Sequence, residues 1–197
     1  MPVLQVIVAS TRPGRVGLPV AQWVADAARE HSAFDVELVD LVDYALPLMD
    51  EPKHPRLHQY THEHTKRWSE TIQRADALAI VHPEYNFSFN AAIKNALDYL
   101  NIEWAYLPVG LVSYGGLSAG MRAAQQLKPV LGALRMVPST ESVPIPFVSQ
   151  QIDDGRFVPT DIMANGATAM FGELARLVDA LGPLRAAALT ALRPPTA

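Results

Sequence analysis

At 197 residues, 49% apolar and 18% charged, the chain suits one compact domain, and a formal charge of −4 excludes a general affinity for nucleic acid or anionic membrane. It has no cysteine, which excludes disulfides, thiolate nucleophiles and iron–sulfur ligation and fits a reducing, cytoplasmic compartment. No run approaches the ~20 apolar residues that span a bilayer.

Val3 to Ala9 is β-rich and almost continuously apolar, as a central parallel strand should be. It is too short for a signal-peptide core, and Arg12 and Arg15 follow it. The loop Ser10-Thr11-Arg12-Pro13-Gly14-Arg15-Val16-Gly17 then leads into a helix predicted over Leu18 to His31. Hydroxyls, bare backbone N–H groups and guanidinium forks at a helix N-terminus make a phosphate site through dipole, hydrogen bonds and charge together. The loop lacks the Gly-Lys-Ser/Thr ending of an NTPase loop and the G-x-G-x-x-G of a dinucleotide site, which leaves a monophosphate.

Val36 to Val39 alternates like an edge strand, and the segment from Asp40 to His58 is rich in proline and charge and reads as irregular. His54, His58, His62 and His64 follow a spacing that invites a metal reading. They have few interspersed ligands and read as the solvated face of a polar helix running to Arg74, so no metal is assigned. Trp68 and Ile72 on that helix read as core.

Ala77 to Val81 is a buried-strand run, and Pro83 stops its pairing. Glu84, Tyr85 and Asn86 then place a carboxylate, an aromatic plane and an amide at the strand's carboxyl end, where open α/β sheets bind ligands. Phe87 and Phe89 read either as core under this loop or as pocket wall. Ala92, Ile93, Ala96, Leu97 and Leu100 form one helical face, with Ser88 or Asn90 as cap.

Val109 to Ser113 is a further buried strand ending in Tyr114-Gly115-Gly116, whose glycines allow close backbone approach to a flat ligand. A helix is predicted over Ser118 to Leu134, kinked at Pro129, then an edge strand from Met136 to Ile145 holding Pro138 and Pro144. Gln150 to Thr160 reads as a polar loop and Asp161 to Leu181 as the last long helix. Residues 1–182 thus form a single domain and 183–197 a fraying extension, partly disordered, with helix compatible over Ala186 to Leu192. Five strands alternating with helices predict an α/β fold, a doubly wound five-stranded parallel sheet with helices on both faces. In the order 2-1-3-4-5 the loops at Ser10, Pro83 and Ser113 face one crevice.

Gly116-Leu117-Ser118-Ala119-Gly120 matches the G-x-S-x-G elbow of serine hydrolases, but the acid and histidine of such enzymes follow the serine, and the last histidine here is His82.

With three loops in hand, the chain resembles the NADPH-dependent FMN reductase family, flavodoxin-like enzymes that include quinone and chromate reductases. The resemblance runs from Val3 to about Ser139 through Ser10-Thr11-Arg12, Pro83-Glu84-Tyr85-Asn86, Lys94 to Leu100 and Ser113-Tyr114-Gly115-Gly116. It departs at Ala9, where the family has glycine, at Phe87, where it tends to a small residue, and at Asn90 and Ala91, where it has proline and glycine. The resemblance implies a flavodoxin-like fold with FMN as cofactor and NADPH, or NADH, as co-substrate. Ser10, Thr11, Arg12, Arg15, Val16 and Gly17 would surround the FMN phosphate. Pro83 to Asn86 would contact the ribityl chain and ring edge, and Ser113 to Gly116 would lie beside the ring. No catalytic side chain is required, because NADPH reduces the flavin and a flavin, quinone, azo dye or metal oxyanion then takes the electrons from the same face. The resemblance also implies a homodimer or a dimer of dimers, with Tyr99, Trp104 and Tyr106 as candidates for the contact or for burial within one subunit. The competing class is a flavodoxin-like electron carrier or redox-sensing module without enzymatic activity.

Overall fold

The computed structural model describes residues 1–190 and 192. Five parallel strands form its sheet: β1 (Val3–Val8), β2 (Asp35–Asp40), β3 (Ala77–Pro83), β4 (Pro108–Tyr114) and β5 (Val137–Ile145), in the order β2-β1-β3-β4-β5. The chain begins at β1 and winds outward in both directions, so β1 and β3 lie side by side where the winding reverses. The register sets Val8 beside Asp40 and Val81, Pro83 beside Tyr114, and Tyr114 beside Ile145. All five carboxyl ends therefore reach one edge.

Alternation along the strands divides the core between two faces. Val6, Val8, Ala79 and Val81 pack against α1 (Gly17–His31) and α6 (Asp161–Thr190), through Val20, Val24, Met170 and Phe171 among others. Ile7, Leu78, Ile80 and Leu111 pack against α3 (Glu63–Gln73), α4 (Ala91–Asp98) and α5 (Met121–Ala133). A single turn, α2 (Leu41–Tyr44), follows β2, and its first turn is capped by Asp40, whose carboxylate accepts from Val42 N. The indole N–H groups of Trp68 and Trp104 donate to the carbonyls of Ala96 and Leu97, tying both buried rings to the end of α4.

Of the two readings offered for them, Trp104 and Tyr99 take burial within the subunit, and Tyr99 donates to Pro47 O and Asp50. Several other expectations are corrected. The four histidines do not share one helix face: His54 caps a short 3₁₀ turn over Pro55–Leu57, His58 ends it at φ 49°, His62 sits at the N-cap of α3, and only His64 lies inside that helix. The polar loop after β5 contains a hairpin, β6 (Ile152–Asp153) and β7 (Arg156–Phe157), turning at Asp154-Gly155 with positive φ at both residues. Phe157 lies against Trp23 of α1, 5.0 Å between ring centroids. The helix predicted from Ser118 starts at Met121, after a turn that ends on Gly120.

The largest difference is α6, which runs past Leu181 and through Pro183 to Thr190, where fraying was expected. A proline inside a helix costs about 3 kcal/mol. Arg185, 4% exposed, offsets it by donating to Glu103 O, to Ala105 O at 3.2 Å, to Ile72 O at 3.1 Å and to Ala75 O at 3.3 Å. Burial lowers its pKa to about 10 against the opposing pull of Asp76 and Glu103, so it stays charged at neutral pH. One guanidinium thus fastens the last turns of α6 to the carbonyls at the end of α3 and before β4. The expected disorder of residues 193–197 lies outside the described residues.

Replacing Arg185 with Met removes the side-chain donor from those four carbonyls, of which only Ile72 O keeps a backbone partner among the described residues, and should cost ~3 kcal/mol or more. A lowered urea midpoint with an unchanged m-value checks this, and the Lys variant should recover only part of the loss.

Candidate functional site

The loops after β1, β3 and β4 meet at the carboxyl edge around a cavity of about 190 Å³. From the first loop it is lined by Ser10, Arg12, Gly14, Arg15 and Val16, from the second by Pro83, Glu84 and Tyr85, and from the third by Tyr114 and Gly115. Val148, beyond β5, completes the wall. Three segments distant in sequence converge as the topology requires.

The first loop is rich in donors. The N–H groups of Thr11, Arg12, Gly14, Val16 and Gly17 find no acceptor among the described residues, and those from Val16 onward open the N-terminus of α1. Gly14 takes φ 68°, which carries the chain round toward the helix. Thr11 and Arg12 are exposed. Arg15 departs from expectation: its guanidinium pairs with Asp40 at the end of β2 and donates to Ser10 O at 2.7 Å. It braces the loop from behind, whereas the Arg12 fork has no carboxylate partner among the described residues.

Gly17 has a specific reason to be glycine. A Cβ there would collide with the hydroxyl of Tyr114, which reaches across from the end of β4. Tyr114 lines the cavity, and its hydroxyl lies at the start of α1, near Ser10. Burial raises its pKa well above the usual phenol value, so it remains a proton donor. The Ser10 hydroxyl also lies 3.4 Å from that of Tyr85.

The second loop is a tight turn. Tyr85 and Ser88 exchange backbone hydrogen bonds at 2.8 and 3.0 Å, with Asn86 and Phe87 between them at φ 49° and 76°. Positive φ at both central residues is the pattern of a type I′ turn. Glu84 does not turn its carboxylate to the cavity: it pairs with Arg122 Nε at 3.0 Å and accepts from Arg122 N at 3.2 Å. Phe87 is 57% exposed and so is not core, whereas Phe89 packs partly buried under the loop. Asn90 stands at the N-cap of α4 but makes no cap bond; its amide donates to Ala9 O at 2.6 Å, fastening α4 to the end of β1.

In the third loop the Ser113 hydroxyl donates to Ala119 O at 2.9 Å, and Gly116 O accepts from Ala119 N and Phe147 N. These groups hold the loop's shape. A Cβ on Gly120 would stand 2.6 Å from Tyr114 N, and its φ is 75°. The G-x-S-x-G match therefore reflects a crowded turn. Positive φ falls on Ala119 and Gly120 rather than on Ser118, four residues beyond the strand, so no nucleophile elbow is formed. Burial lowers the pKa of His82 to about 4 against the pull of Pro83 O and Glu84, so that ring is neutral. No group of three or more potential metal-ligating side chains occurs among the described residues.

An open 2-1-3-4-5 sheet with a donor-rich loop opening its first helix defines a flavodoxin-like protein built to hold a mononucleotide at the switch point. The family model for NADPH-dependent FMN reductase matches residues 2–150. A NAD(P)H-dependent FMN reductase of Schizosaccharomyces pombe is 41% identical over 149 residues, 74% of each chain. A quinone reductase of Pseudomonas putida is 31% identical over 62% of this chain and 67% of its own. Among solved structures, the flavoenzyme NAD(P)H:(acceptor) oxidoreductase FerB of Paracoccus denitrificans superimposes with a TM-score of 0.74 at 20% identity, over 92% of this chain and 99% of its own.

The chain belongs to the NADPH-dependent FMN reductase family. It is an FMN-dependent NAD(P)H oxidoreductase. Unpaired amides at a helix N-terminus, a free arginine and two hydroxyls are the donor set that a phosphate monoester needs, so the residues present fit the cofactor.

Gly17→Ala should destabilise the protein by ~1–3 kcal/mol through overpacking against Tyr114. Adding Tyr114→Phe, which removes the obstructing oxygen, should regain more than half of that loss in urea unfolding.

Proposed function

We propose that the FMN phosphate sits on the amides of Thr11, Arg12, Gly14, Val16 and Gly17, with Arg12 and the Ser10 hydroxyl completing its shell. The observation that carries this is the row of donors without acceptors at the start of α1, of which Arg12, Gly14 and Val16 line the crevice where three loops converge. Arg15 and Asp40 keep that loop in shape before any ligand arrives, which lowers the ordering cost of binding. The backbone from Pro83 to Asn86 and at Gly115 and Gly116 borders the ring; of these, Gly115 is held by its own N–H to Ile145 O at 3.2 Å.

Bound FMN supplies the redox chemistry, accepting hydride from NADPH, or NADH, and passing it on. The protein binds, orients and tunes. Glu84, paired with Arg122, and His82, kept neutral by burial, bring no net charge of their own to the end of β3. The acceptor that follows is a small molecule: a quinone, a flavin, an azo dye or a metal oxyanion. Tyr85 in the cavity wall and Leu117, Met121 and Phe147 on the segments after β4 and β5 are exposed, and pairing with a second copy to give a homodimer, or a dimer of dimers, would cover them. Among the described residues no helix is long and apolar enough to cross a membrane, and a chain without cysteine suits the cytoplasm.

The purified protein with FMN should show the visible flavin bands and lose them when NADPH is added without oxygen, then regain them with a quinone. An electron carrier would keep its colour until a separate reductase is supplied, and that result would reject the enzyme's direct use of NADPH.

A further inference from the structure

Phe87 is the least comfortable residue at the crevice. A bulky side chain at φ 76° is strained, and the turn would accept glycine or asparagine more easily. Its ring is not buried in compensation, since the residue is 57% exposed. The surroundings nevertheless hold it in place. Gln126 Nε2 donates to Phe87 O at 2.9 Å, and the Arg122 guanidinium lies 4.8 Å from the ring centroid. Arg122 is in turn fixed by Glu84, whose side chain is only 8% exposed and whose N–H donates to Tyr114 O at 2.9 Å. The chain Glu84, Arg122, Phe87 thus begins in the cavity wall and ends in an aromatic ring that has one face against a cation and the rest in solvent.

Backbone strain kept at a site's rim and braced from two sides has no stabilising purpose in the free protein. A flat ring of fixed position does have a use toward another flat ring, because stacking rewards a platform that need not be ordered on contact. Building on the reductase reading above, we propose that Phe87 is a specificity-determining residue for the electron acceptor. It provides a stacking platform that favours planar aromatic acceptors over compact ones. Arg122 and Gln126 are its positioning residues, and Glu84 positions Arg122. The reduction itself is unchanged; Phe87 contributes only to the acceptor's residence beside the flavin.

The test compares the unaltered holoprotein with Phe87→Asn, which tolerates the turn's positive φ, and Phe87→Trp, which keeps a ring. Reduction of 1,4-naphthoquinone is measured against that of ferricyanide, and the affinity for redox-inert 2-naphthol is measured by calorimetry. We expect kcat/KM for naphthoquinone relative to ferricyanide to fall about tenfold in the Asn variant, mainly through KM, with a similar loss of 2-naphthol affinity. The Trp variant should retain both, and FMN affinity should be the same in all three. Equal losses for both acceptors, or unchanged 2-naphthol binding, would overturn the assignment. So would a smaller assembly in the Asn variant, which would give the ring to a subunit contact instead. Failure of the unaltered protein to bind FMN would reject the reductase reading itself, an outcome separate from these.

Discussion

The crevice is shaped by one close approach, that of the Tyr114 side chain to Gly17, which leaves no room for a Cβ there. It sets the end of β4 beside the start of α1, on the far side of β3, so the side chain that ends one strand packs against the donor-rich loop that follows another. Two further fastenings act in the same sense: Asn90 ties the head of α4 to Ala9 O, and Glu84 N–H ties the loop after β3 to Tyr114 O. Each uses a main-chain carbonyl at a strand terminus that would otherwise lack a partner. The site is therefore shaped by the same hydrogen bonds that finish the sheet, and its geometry exists before a ligand enters.

Charge is arranged with similar economy. Of the two arginines in the loop after β1, one is spent on Asp40 and the Ser10 carbonyl, while the other faces outward. Glu84 and Arg122 neutralise one another beside the loops after β3 and β4. What remains for an anion is the partial positive charge of unpaired amides at a helix N-terminus together with a single guanidinium, a local field in a molecule whose formal charge is −4. A field of that kind is suited to a single phosphate rather than to polyanions.

Much of this was legible in residue order. Continuous apolar runs at Val3, Ala77 and Val109 mark central strands, and the loops after them carry chemistry that strand interiors do not tolerate; the sheet order and the convergence of the three loops follow. Side-chain direction was less accessible. Nothing in the spacing of Arg15 reveals that Asp40, 25 residues on, ends the neighbouring strand and claims it. Tyr114 reads as a ring beside a flat ligand, and only the folded sheet shows its hydroxyl turned toward Gly17. Pro183 signals a helix end, and only tertiary contact overrides it, since the four carbonyls that hold Arg185 come from segments about 80 to 113 residues away. The hairpin at Asp154-Gly155 was read as a polar loop, because its two-residue strands are too short to show alternation.

Everything proposed for the cofactor rests on its phosphate lying on the amides that follow β1. Titrating FMN into ¹⁵N-labelled protein tests it directly. The largest amide shifts should fall on Thr11, Arg12, Gly14, Val16 and Gly17, with smaller ones from Tyr85 to Asn86 and at Gly115. If those five amides stay in place while the strongest shifts gather elsewhere, for example in the groove between Trp23 and Arg156, the phosphate lies at another site and the account is wrong.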